Sequence, residues 1–449
     1  MPLRPVLLAT IATLALTGAA QAAPKLIAIG SLSGSAAGPN HDLSGLTGAL
    51  ENGLPADMLG GIGSGLAYAG NGTFLALPDR GPNATPYNPK LDDTVTFIPR
   101  FDTLKMGLTP AAAGAALPFT LSVDMSATTL LYSPTPLAYG TGAGLDIGSG
   151  TPAQNAEGRY YFTGRSDAFD PARGSCNPDN GRRDTESLRV SNDGKTVYVS
   201  DEYGPYIDAY DRATGARVAN IALPANLCIA HTAAQKDAEL KGNATGRTTN
   251  QGMEGLAITP DGKRLVGNIQ SATLQDKADE ASKKMLRLVT VDLATGATHE
   301  YGYMLTEGSG VSEIVAVNNH EFLLDERDGK GLGDDSKAKV KTLFKIDLAG
   351  ATDITGLTGK AAAEAAVKKE KFFELVPALE AAGVPAEKIP SKIEGVAFGP
   401  DVTADGQTLH TLFIANDNDF LPETSGPNMF YVVGFTDADL PGYAPQPVQ

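Results

Sequence analysis

Along most of the chain, apolar residues alternate with polar ones in short runs that break at Asp-Gly or Asn-Gly pairs. Two stretches share one template: Glu186-Ser-Leu-Arg-Val-Ser-Asn-Asp-Gly-Lys-Thr-Val-Tyr-Val-Ser-Asp201 and Glu254-Gly-Leu-Ala-Ile-Thr-Pro-Asp-Gly-Lys-Arg-Leu-Val-Gly-Asn268. Each reads as an acid, a small residue, an apolar run, an Asp-Gly pair and a second run with a polar end. Period-2 alternation around a pair that tolerates positive φ predicts a β-hairpin. Further copies run from Glu313 to Asp325, with a turn near Asn318 to His320, and from Glu394 through Asp405-Gly406 to Asn416-Asp417. Ser64 to Asp79 is a relative in which serine replaces the opening acid.

The intervals between copies leave room for two outer strands each, such as Met285 to Asp292 and His299 to Met304, or Thr342 to Asp347 and Lys371 to Val376. Four strands per repeated unit predict an all-β fold, a β-propeller. Six blades are expected, with five or seven as alternatives; the sixth falls around Gly158 to Arg165. Lys25 to Leu32 is expected to pair with Met429 to Phe435 and close the ring, making one domain over 23–449. Small helical insertions are expected, chiefly the Ala/Lys/Glu-rich Gly359 to Lys371, followed by a strand at Phe372 to Val376. Lys277 to Lys284 reads as a solvated loop or short helix, and the tail after Pro441 as mobile or laid over the surface.

Composition agrees with this picture: 51 glycines and 29 prolines in 449 residues, with no tryptophan, fit many turns between short strands. Arg4, the apolar run Val6 to Leu16 and Ala20-Gln21-Ala22 predict a signal peptide over 1–22, hence a periplasmic or secreted protein. No later apolar run is long enough to span a membrane. In an oxidising compartment the two cysteines, Cys176 and Cys228, are expected to form a disulfide, with two buried thiols as the alternative. A formal charge of -16 argues against nucleic acid as a partner. A monomer acting on a small molecule is expected.

The recurrence of the acids gives that charge a meaning. The innermost strand of every blade lines the central channel, so Glu186, Glu254, Glu313 and Glu394 would converge there. Unpaired carboxylates in a narrow channel repel one another. A hard cation relieves this, and calcium, with six to eight oxygen ligands, fits best. Asp201 and Asp417, at the polar ends of second strands, join them as candidate ligands. Acids beside hairpins also cap loops or pair with arginines, and that structural reading stands beside the metal reading. Were the channel a catalytic site, a carboxylate would hold an attacking water and arginines would neutralise charge. Glu202, in Ser200-Asp-Glu-Tyr-Gly-Pro205, and Arg80, Arg183 and Arg327, each next to acids, are the candidates. No G-x-S-x-G elbow, P-loop or H-E-x-x-H occurs, and the five histidines form no zinc pattern.

The segments Ser200 to Pro205, Asn250-Gln-Gly-Met-Glu-Gly-Leu-Ala-Ile-Thr-Pro-Asp-Gly-Lys263, Phe322-Leu-Leu-Asp-Glu-Arg-Asp-Gly329 and Lys392-Ile-Glu-Gly-Val-Ala397 with Asn416-Asp-Asn-Asp-Phe420 resemble the phytase-like, or "esterase-like activity of phytase", family. The similarity runs from Leu43 to Phe435. It implies an exported β-propeller with phosphoesterase or esterase activity. Where the family often carries a glutamate after the Glu254 hairpin, this chain reads Asn268-Ile-Gln270, so Asn268 and Gln270 are placed as ligand or substrate contacts rather than catalysts. Two functions follow: a calcium-dependent phosphoric or carboxylic ester hydrolase, lactonase chemistry included, or a non-catalytic binding propeller with structural calcium.

Overall fold

The computed structural model describes residues 23–33, 40–85, 94–142, 146–404 and 406–449; the expected signal peptide and Asp405 of the last turn lie outside them. The strands form five four-stranded antiparallel sheets. Blade I contains Gly65–Tyr68, Thr73–Leu77, Arg100–Pro110 and Phe119–Leu130, from inside outward. Blade II contains Thr185–Val190, Thr196–Asp201, Tyr206–Asp211 and Arg217–Ile221; blade III contains Met253–Ile258, Arg264–Ile269, Met285–Asp292 and Thr298–Met304. Blade IV runs through Gly310–Ala316, Glu321–Arg327, Lys341–Asp347 and Lys369–Glu374. Blade V takes Lys392–Ala404, Gln407–Asp417 and Asn428–Phe435 from the end of the chain, and its outer strand, Lys25–Leu32, from the beginning. Lys25 stands opposite Gly434 and Leu32 opposite Asn428, so the ring closes with a sheet shared by both ends of the chain, as expected.

The hairpins form where the Asp-Gly pairs predict them. Gly194 and Gly262 both sit at φ +70°, a conformation that side chains rarely adopt. Asp193 Oδ1 accepts from Ser191 Oγ (2.6 Å) and from the Lys195 amide (3.2 Å). Asp261 repeats this with Thr259 (2.7 Å) and Lys263 (3.1 Å). An apolar cluster fills each interface between neighbouring blades; Leu75, Leu77, Leu188 and Val197 join blades I and II, and Ala257, Leu288, Ile314 and Leu324 join III and IV.

The expected sixth blade is absent among the described residues. The stretch around Gly158 to Arg165 contributes only Tyr160–Tyr161, paired with Tyr132–Ser133 in a two-stranded ribbon. There is no room for more, because the inner strands of blades I and II touch: a Cβ on Gly65 would lie 2.9 Å from the Glu186 carbonyl. The connection's described residues from 146 to 184 instead pack beside blade II, where Cys176 and Cys228 form the disulfide, their Cα atoms 5.6 Å apart. The insertion in blade IV also differs in detail. Its helix spans Gly359–Glu364, the strand is Lys369–Glu374, and Leu375–Ala381 is helical. The C-terminal tail is laid over one mouth of the channel, with Gln446 Nε2 donating to the Val190 carbonyl (2.7 Å) and the Gln449 amide to Asn192 (3.0 Å).

Candidate functional site

Four of the five inner strands carry a bulge at their start. The ladder shifts register between Thr185 and Leu188, Met253 and Gly255, Val311 and Ile314, and Ile393 and Val396. Aligning the blades on these shifts makes Glu186, Glu254, Ser312 and Glu394 equivalent, with Ser64 completing the set. At the facing ends of the second strands the equivalent residues are Glu202, Gln270, Arg327, Asp417 and Asp79.

Glu313 therefore falls one position out of the acid ring and onto the place held by Ser187, Gly255 and Gly395. A slip of one residue turns a strand side chain the other way. Deeper in the channel, Glu313 accepts from Ser187 Oγ (2.8 Å to both oxygens), from the Leu256 and Ile314 amides (3.1 and 3.0 Å) and from Arg189 (3.1 Å). Arg189 also donates to the carbonyls of Leu66 (2.7 Å), Ile314 (2.9 Å) and Val396 (3.2 Å), tying blade II to blades I, IV and V. These two residues plug the channel. Burial pushes the Glu313 carboxyl up to about 7, against the pull of Arg189.

Above the plug, at the mouth opposite the tail, lies a polar cavity of about 230 Å³. Its acids are Asp79, Asp184, Glu186, Glu202, Glu254 and Glu394; its bases are Arg80, Lys236, Arg327 and Lys392; Asn250, Gln251 and Gln270 complete the lining. Carboxylate oxygens of Asp184, Glu186 and Glu202 lie within 4.8 Å of one another, and all three residues are buried. Burial first, then the neighbouring Glu254 and Asp184, raise the Glu186 and Glu202 carboxyls well above their ordinary value. Glu202 Oε1 and Glu254 Oε2 are buried without a hydrogen-bond donor. Oxygen-only donors, clustered, desolvated and short of donors, fit a hard cation.

Arg327 and Lys392 pair with acids outside the Asp184, Glu186 and Glu202 cluster, and Arg80 with Asp184 inside it. Arg327 bonds Glu394, stands 3.7 Å from Glu254 and donates to Ser312 Oγ at 2.5 Å. Arg80 pairs with Asp184 (3.3 Å) and bonds Asn250, which holds a positive φ of 52°. Lys392 pairs with Asp417 (2.8 Å) and Asp419; although burial opposes its charge, these carboxylates raise its pKa well above the ordinary value.

The structure thus brings together Glu186, Glu202, Glu254, Glu394, Arg80, Arg327 and Gln270 of the residues singled out from the sequence. Others stand elsewhere. Asp201 accepts the Asp184 and Gly204 amides (2.6 and 2.8 Å) and so holds the Ser200 to Pro205 turn that aims Glu202 inward. Arg183 pairs with Asp208 (2.8 Å) and stacks on Tyr206. Asn268 is fully buried below the cavity, with neither side-chain polar atom hydrogen-bonded. Asp417 pairs with Lys392 and stands with Asp79 and Asp419 in a second carboxylate group, with oxygens within 4.8 Å of one another. None of the five histidines lines the cavity. Sequence reasoning missed Asp184, Lys392, Lys236 and Asn250. Asp184 precedes an inner strand directly, and Lys392 stands two residues before Glu394, so strand-end position was the available signal.

Residues 57–420 match the Phytase-like family, described as esterase-like activity of phytase. The chain belongs to that family. A curated protein of Arthroderma benhamiae, named "Uncharacterized secreted protein", is 30% identical over 323 residues, 61% of this chain and 60% of its own length. The chain thus spans about 60% of the curated relative it matches. Among solved structures, a periplasmic gluconolactonase of Pseudomonas aeruginosa is 10% identical over 91% of this chain and 96% of its own, with a TM-score of 0.34. Hydrazine synthase of Kuenenia stuttgartiensis is 11% identical over 81% and 79%, with a TM-score of 0.31. The fold assignment rests on the strand order rather than on these likenesses. Among the described residues no helix is long and apolar enough to cross a membrane.

Proposed function

We propose that this phytase-like protein is an exported, calcium-dependent hydrolase of phosphoric or carboxylic esters, acting in the periplasm at the polar mouth of the channel. The observation that carries the reading is the buried Asp184, Glu186 and Glu202 cluster sharing one cavity with Arg327 and Lys392. These three carboxylates would hold the cation, whose charge neutralises the cluster and polarises the ester oxygen. Glu254 faces the attacking water as general base, its carboxyl raised by burial against the opposing Arg327. Water oxygen bonds to the acyl carbon or phosphorus, the ester bond to the alcohol oxygen breaks, and the proton taken by Glu254 passes to the leaving alkoxide. Arg327 and Arg80 offer N–H groups to charge developing on the reacting centre.

The test is metal content of the purified mature protein by mass spectrometry, with turnover of chromogenic phosphate and carboxyl esters before and after chelation. Bound calcium with turnover that chelation abolishes supports the proposal. Metal-free protein without turnover overturns it. Glu254→Gln separates catalysis from structure: turnover should fall at least about 100-fold with the melting temperature kept, as for loss of a general base.

A further inference from the structure

A second cavity, of about 430 Å³, opens beside the first. Leu54, Met58, Pro82, Phe420, Leu421 and Pro422 make its wall predominantly apolar. Met58 and Phe420 belong to a small apolar cluster with Phe97, separate from the clusters between blades. The two cavities share a wall. Lys392 lines the polar cavity, while its ion-pair partner Asp419 lines the apolar one. Oxygens of Asp79, from the polar cavity, and Asp419 lie within 4.8 Å of each other. One loop runs directly between the sites: Arg80 lines the polar cavity and Pro82 the apolar one, a separation of at most about 7 Å along the chain.

Charge narrows what can lie across both. The acids around the polar cavity outnumber its bases by two, six against four. One divalent cation brings that balance to zero, leaving no positive excess to receive a polyanion. A phosphate monoester would meet carboxylates on most sides. A neutral ester meets no such penalty, and an apolar chain attached to it would reach the neighbouring apolar wall.

We propose that the substrate is a neutral carboxylic ester with an apolar acyl or alkyl arm, the ester lying in the polar cavity and the arm between Leu54, Met58 and Leu421. This rests on the hydrolase reading above. Burial of each added methylene then raises kcat/KM by up to about fourfold until the apolar cavity is full.

The experiment measures kcat/KM of the calcium-loaded protein for 4-nitrophenyl esters from acetate to octanoate and for 4-nitrophenyl phosphate. It is paired with calorimetric binding of octyl acetate to Glu254→Gln. Rising kcat/KM along the acyl series, with little phosphate turnover, is expected. Leu421→Asp and, as a milder change at a partly exposed position, Leu54→Ala should flatten the series. Ester turnover without any chain-length dependence, or faster phosphate turnover, overturns the inference and leaves the hydrolase reading standing. Octyl acetate bound but never hydrolysed by the wild type supports the apolar site and overturns the hydrolase reading. Octyl acetate neither bound nor hydrolysed overturns the inference.

Discussion

Replacing Glu186 by glutamine removes one charge from the Asp184, Glu186 and Glu202 cluster while keeping the side chain's shape. With oxygens within 4.8 Å of one another, each like-charged pair costs about 3 kcal/mol at an effective dielectric constant of 20. A carboxyl can escape by taking up a proton, which at pH 7 costs about 3 to 4 kcal/mol for a group of ordinary pKa. Glu186 stands in two such pairs, about 7 kcal/mol together, so protonation is the cheaper route and caps the penalty in the cation-free protein at about 3 kcal/mol, relieved by the substitution. Unfolding entropy of about 2 cal/mol/K per residue over the 449-residue chain converts this to a rise of about 3 °C in melting temperature. Calorimetry of chelated wild type and Glu186→Gln should show that rise. Calcium at 100 times its dissociation constant should then add about 3 kcal/mol to the wild type and far less to the variant. The site would in this way carry a charge conflict that costs stability and serves binding. A chelated variant that melts below the wild type, or an equal calcium increment in both proteins, refutes the cation reading of the cluster.

Arg189→Met should lower stability by about 3 to 5 kcal/mol, because Glu313 is left buried without its ion partner; thermal unfolding of Arg189→Met alone and combined with Glu313→Leu checks this, the double variant recovering part of the loss. The Cys176 to Cys228 disulfide closes a loop of 52 residues, worth about 4 kcal/mol in chain entropy, so Cys176→Ser/Cys228→Ser should melt several degrees lower in denaturation scans. Burial, against a hydrogen bond from Thr128, pushes the Asp102 carboxyl from 3.8 up to about 7. A raised folded-state pKa leaves stability intact below pH 4 and removes up to about 4 kcal/mol as pH rises to 7; urea unfolding of Asp102→Asn should lack this component. Gly255→Ala would set a Cβ 2.2 Å from Asn268 Oδ1 and 2.8 Å from the Glu313 Cα, so a loss of about 1 to 3 kcal/mol is expected in the same assay.

How far the chain could be read before its structure was seen depended on whether the signal was local. The Asp193-Gly194 and Asp261-Gly262 turns announce themselves, since backbone conformation and side-chain capping are decided within five residues. Ring closure by Lys25–Leu32 was legible because the first and last strands each carry their own apolar pattern. The sixth blade failed on a non-local fact: an alternating run around Tyr160 becomes a blade only if its neighbours leave a gap, and blades I and II leave none. Glu313 failed for a related reason. Its segment reads acid-apolar like its siblings, yet the bulge lies one residue earlier relative to the acid, and no residue type marks a bulge. The site itself was half legible. The acids that recur at strand starts were found, whereas Asp184 and Lys392 acquire their meaning only when strand ends from different blades meet at one mouth. Arg327 shows why the recurrence should not be read as symmetry. It stands where other blades place Glu202, Asp417 or Asp79, and reaches Glu394 and Glu254 on either side. One arginine among three acids and a glutamine divides the mouth into an acid-rich side, Asp184 to Glu202, and a charge-neutralised side, Glu394 to Lys392. A ring of identical acids would hold an ion on the axis with no direction for chemistry, whereas this division would give an ester, on the proposed function, two different ends to face.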